Sequence, residues 1–145
     1  MGCGAKYQLL SNHAHDHDMQ GFLKDMVENV IKPEIQQLSK LLKDEQVTLP
    51  PPAPERPKIE GDQIPPGARF NDNEIAMCVQ HDIAMAMAET SQIVSLATRP
   101  DVAMVVAKHH AQLVMYGGRL LKLMAEKGWL VEPPLHTGTG GPPAS

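Results

Sequence analysis

The chain has 145 residues, enough for one domain whose core stands without disulfides or metals. Its 17 acidic residues against 13 basic ones, with no basic face and no aromatic stacking platform, exclude a nucleic-acid partner on electrostatic grounds. Two cysteines form neither a disulfide framework nor a paired zinc pattern, and no apolar run nears the roughly 20 residues of a membrane span; a soluble, cytoplasmic protein with no membrane partner is expected.

Residues 1–4 read as a flexible N-terminus, and Lys6 stands where an N-myristoylation pattern wants Ser or Thr. From Ala5 to about Ala14, Tyr7, Leu9 and Leu10 among good helix formers predict a short first helix. Between Asp18 and Val47, apolar residues from Met19 through Leu42 recur at three- and four-residue intervals, the pattern of a long amphipathic helix. Pro33 falls inside it and predicts a kink near Asn29 to Pro33, or a break into two helices. Thr48 to Phe70, with "LPPPAPERP" and "IPPGARF", reads as a crossover held extended by proline at about 3.1 Å per residue.

The third helix is expected over Asn73 to Ala97, introduced by Asn71 and Glu74 in a capping-box spacing. Its stripe runs through Ile75, Val79, Ile83, Ala86, Met87, Thr90, Ile93, Val94 and Ala97. The fourth begins at Pro100, which suits a first helical position, and stops at Gly128, with Val102, Val105, Val106, Leu113, Leu120, Leu121 and Met124 as its stripe. Residues 136–145 read as a disordered tail, which leaves one domain over 5–135.

No strand pattern competes, so the class is all-α. Short, long and short connections match a ferritin-like four-helix bundle with one long crossover between helices two and three. The first helix is too short to cover the stripe from Ile35 to Leu42, and a homodimer is the expected partner. Gly117 and Gly118 permit close helix approach or a local kink. Trp129 reads as a lid on the bundle end or as an exposed anchor, and most of the nine methionines, including Met77, Met85, Met87, Met104, Met115 and Met124, as core filling.

"KYQLL", "LSKLLKDEQVTLPPPAPERP", "ARFNDNEIA" and "LMAEKGWLVEPP" together resemble the domain-of-unknown-function family 3231 over roughly residues 5–135. The Lys-Gly-Trp-Leu run at 127–130, followed by Pro133 and Pro134, carries most of the specificity. The resemblance implies a Bacillus-type protein with a ferritin-like helical fold, related to spore coat proteins, with other spore or coat proteins as further partners. It implies no activity. Many members of that family carry two such units in tandem, whereas this chain has one, which adds to the expectation of a dimer.

Candidate chemistry is sparse. No Glu is followed three residues later by His, so the di-iron pattern of ferritin-like oxidases is missing; nucleophile elbows, phosphate loops and dinucleotide fingerprints are missing too. The expected reading is therefore not an enzyme, with no cofactor. The alternative is a divalent-metal bundle. In "NHAHDHD", residues 12–18, His13 and His17 would share a face if the stretch were helical, and zinc, nickel, copper or iron would accept them with His109 or His110, Asp82 or His81 from facing helices. Against it stands a helix junction, with Asp16 and Asp18 at a helix start and the histidines as polar junction residues. At least one of His109 and His110 is expected to be half buried, and Cys78 to be buried and inert.

Overall fold

The computed structural model describes residues 3–131, 133 and 134, and no strand occurs among them. The reading of residues 136–145 as a disordered tail lies outside the described residues. The helices are α1 (Cys3–His13), α2 (His17–Met26), α3 (Lys32–Asp44), α4 (Asp72–Leu96) and α5 (Pro100–Glu126). Helix α1 begins within the stretch expected to be flexible.

Pro33 neither breaks the second helix nor leaves it regular. A π-helical turn, Val27–Ile31, joins α2 to α3, and the Lys32 amide donates to the Val27 carbonyl five residues back. A widened turn accommodates a residue that lacks an N–H and crowds the carbonyl before it. The expected starts hold for local chemical reasons. Asn71 and Glu74 form a reciprocal capping box, and Pro100 opens α5. At the far end of α5, Gly128 has φ 71°, its amide reaches the Ala125 carbonyl, and the Trp129 amide reaches Met124 at 2.8 Å. This glycine-ended cap turns Trp129 and Leu130 back against the core, so the indole is a lid.

The core gathers Tyr7 and Leu10 of α1, Met19, Leu23 and Met26 of α2, Ile75, Val79 and Ile83 of α4, and Leu113, Leu120 and Met124 of α5. Helices α4 and α5 form the most extensive helix pair, and a Cβ at Gly117 would stand 3.3 Å from Ile83 Cγ2. A Cβ at Gly118 would meet nothing within 4 Å, so close approach explains only the first glycine.

Two expected stripes are corrected. Ile93 is 47% exposed and Leu121 40%, while His109 and Tyr116 take buried positions on α5. The methionine reading also fails in part: Met124 is buried and Met87 half-buried, but Met77, Met85, Met104 and Met115 are exposed. Each of the two helices buries a single stripe, and these four lie off it. Cys78 is half-buried and free.

The packing is uneven along the bundle axis. At about 1.5 Å per residue, α1 is roughly 16 Å long, whereas the α2–α3 rod is roughly 42 Å. Beyond the start of α1, α3 buries none of its residues, and Ile35 is 51% exposed.

Candidate functional site

The residues singled out in the sequence fall in two places. The first is the α1–α2 junction, where the helix stops at His13 and restarts at His17. The expectation that His13 and His17 share a helix face is therefore corrected. Asp16 has extended backbone (ψ 126°), and its carboxylate accepts the Asp18 and Met19 amides, which ends any continuous helix through the stretch. His13 is buried, its Nδ1 accepts the Phe70 amide at 3.1 Å, and its ring tilts against Phe70. His17 is exposed. Asp72, at the start of α4, accepts the His15 and Asp16 amides. Lys127 Nζ lies 2.6 Å from Asp16 and 2.7 Å from Asp18, tying the end of α5 to the start of α2.

Charge follows this geometry. The hydrogen bond from Lys127, helped by the Met19 and Asp18 amides, holds the Asp16 carboxyl below its usual range, and the two aspartates raise the Lys127 ammonium. His15 hangs outward to fix the crossover. Its Nδ1 donates to the His13 carbonyl at 2.9 Å, while Nε2 stands 3.1 Å from Arg69 and 3.3 Å from Asp62. The ring occupies the space beside Gly61, where a Cβ would sit 2.4 Å from it. On α1, Gln8 and Asn12, one turn apart, bind the backbone of the same proline-rich strap at Arg56, Pro57 and Ile59.

The second place is the bundle interior just past the N-terminal end of α1. His109 is 8% exposed, and its Nε2 lies 2.9 Å from Glu34 on α3. His110 is half-buried, with Nδ1 2.9 Å from the Thr90 hydroxyl, which itself donates to the Ala86 carbonyl at 2.7 Å. Asp82 is half-buried and paired with Lys6 of α1 at 2.6 Å, whereas His81 is exposed. These pairs line or border a chamber of about 260 Å³.

His13 and His17 are thus separated from His109 and His110, and the four do not form one site. Among the described residues no three His, Cys, Asp or Glu side chains come together in a way that could hold a metal ion. Glu34 opposite His109 and Lys6 opposite Asp82 were not foreseen from the sequence; the latter pair spans 76 positions, and only the packing of helices brings it together.

The sequence model of a family described as a protein of unknown function (DUF3231) matches residues 2–140. The uncharacterized protein YvdQ of Bacillus subtilis (strain 168) is 38% identical over 130 residues, covering 90% of this chain and 76% of YvdQ. Among solved structures, a candidate spore coat protein from Bacillus halodurans superimposes with a TM-score of 0.88 at 39% identity, over 92% of this chain and 84% of that one.

Proposed function

The chain belongs to the DUF3231 family of proteins of unknown function, and from that premise we propose that it is a non-enzymatic component of the bacterial spore, structural or interacting, that works as a homodimer. The observation that carries this reading is the likeness, in sequence and in fold, to the candidate spore coat protein of Bacillus halodurans. The arrangement of one short helix, three long ones and a proline-rich crossover supports a ferritin-like bundle. The polar residues of the α1–α2 junction are occupied by caps and ion pairs, and the sequence carries no catalytic motif. No observation favours the divalent-metal alternative, since His13, His17, His109 and His110 lie in two separate places.

A fluorescent fusion expressed from a sporulation promoter in a spore-forming Bacillus tests the reading. Signal around the forespore, with the protein recovered in the coat extract of purified spores, is expected. Signal that stays in the mother-cell cytoplasm, with none in purified spores, would overturn it.

A further inference from the structure

We propose that the chamber at the end of α1 binds a small organic cation, a primary ammonium carried on a short apolar body. Its walls are apolar, from Tyr7, Val30, Ile83, Ala86 and Leu113. At about 260 Å³ it falls just under the roughly 300–1,000 Å³ of pockets for drug-sized ligands, so its ligand is smaller than those. The exposed Glu89 and Ile93 mark its mouth.

The histidine and the carboxylates of the lining share one chemical character. The Thr90 hydroxyl is already engaged, with its proton on the Ala86 carbonyl at 2.7 Å and a lone pair facing His110 Nδ1 at 2.9 Å. His109, more than nine-tenths buried, is engaged through Nε2 with Glu34, and its Nδ1 has no partner among the described residues. As the Nε2–H tautomer that donates to Glu34, it presents Nδ1 as a bare acceptor. Both Asp82 oxygens sit 2.6 Å from Lys6 Nζ, so this carboxylate is already paired.

Glu89 has no partner among the described residues. With Asp82 balanced by Lys6 and His109 neutral, Glu34 and Glu89 give the chamber its net negative charge. The capacity left at His109 Nδ1 and at Glu89 is acceptor capacity. A carboxylate ligand would be repelled, and an alcohol would bring one donor where an ammonium brings three and a charge. A bare metal ion would need ligands drawn together, and among the described residues no three suitable side chains are. An alkylammonium places its charge at the Glu89 end and its chain against the apolar walls.

The test is isothermal titration of the full chain at low salt with n-hexylamine, n-hexanol and n-hexanoate, with the site located by chemical-shift changes at the Ala86 and Leu113 methyls. Hexylammonium is expected to bind one per chain, at least about tenfold tighter than hexanoate and tighter than hexanol. Glu89→Gln, at an exposed position that leaves the fold intact, should weaken it about three- to tenfold, a range kept modest by solvent screening. Ala86→Met, which fills the chamber, should abolish methyl shifts at Leu113; circular dichroism checks that it folds. Equal binding of the three probes, an unchanged constant in Glu89→Gln, or no binding of hexylammonium would each overturn the assignment. None of these outcomes bears on spore localisation, so the two proposals fail separately.

Discussion

Two part-buried aspartates, each paired across helices, contribute to the acid dependence of the fold; Asp101, also lowered by Arg99, is exposed and screened. Asp16 is held below the usual carboxylate range by Lys127, and Asp25 by Arg119 with help from Asn29. A carboxyl depressed in the folded state contributes stability that is fully present above its unfolded pKa of 3.8 and lost as pH falls through the lower folded value. Thermal melts should therefore be flat down to about pH 5 and fall steeply below about pH 4. In an Asp16→Asn, Asp25→Asn double variant the melting temperature near neutral pH should drop and the acid slope should become shallower. An unchanged slope would show that these ion pairs do not set acid stability. The sequence made part of this legible. The Asp-His-Asp run predicts a helix start, because N-cap chemistry is local. Nothing near position 16 signals Lys127, since that contact depends on where α5 ends in space. The same limit explains the histidines: the three-residue break at Ala14–Asp16, which includes the extended backbone of Asp16, removes the face that His13 and His17 would need.

At the scale of elements, the long helix ends differ in how they are built. Helix α5 ends on Gly128 at φ 71°, a residue for which the left-handed region carries no Cβ penalty. Helix α3 ends the same way with Gln46 at φ 60°, and the Val47 amide reaches the Leu42 carbonyl at 3.0 Å. Gln46→Gly should stabilise the protein by about 0.5–1 kcal/mol, read from the urea midpoint at unchanged m-value. Destabilisation would mean that the glutamine side chain holds the turn. The pair shows why the α5 boundary was readable and the α3 boundary was only approximate: the glycine announces its conformation, and the glutamine does not. Proline behaves likewise. Pro33 announces an irregularity at residues 29–33, but the choice among kink, break and π turn is made by packing, where Met26, Val30 and Ile31 stay buried and the rod continues.

At the scale of the molecule, the bundle is closed at one end and open at the other. Helix α1, of 11 residues, covers the first part of a rod roughly 42 Å long, and its N-terminal half is fixed by Lys6 on Asp82. Past that point, Ile35 is 51%, Leu96 71% and Met104 72% exposed. Helix α3 is amphipathic yet fully buries no residue: Leu38, Leu41 and Leu42 are half-buried and Ile35 is exposed, so its apolar face is only partly covered. The sequence showed the imbalance, because helix lengths and stripes are both periodic signals. A second copy would supply the same partly covered apolar face, and an isologous pairing of the two would bury both. Light scattering after gel filtration should then give twice the chain mass of 15.8 kDa. Met104→Glu places a charge on an exposed helix face without touching the monomer core, and should shift the protein toward the single-chain mass. Amide protection in α3 should rise with protein concentration in the parent and stay flat in the variant. A parent that is monomeric at about 100 μM with concentration-independent protection would place the covering of α3 outside self-association; affinities near that concentration correspond to only about 5–6 kcal/mol, less than such a face should supply if it pairs with its own copy.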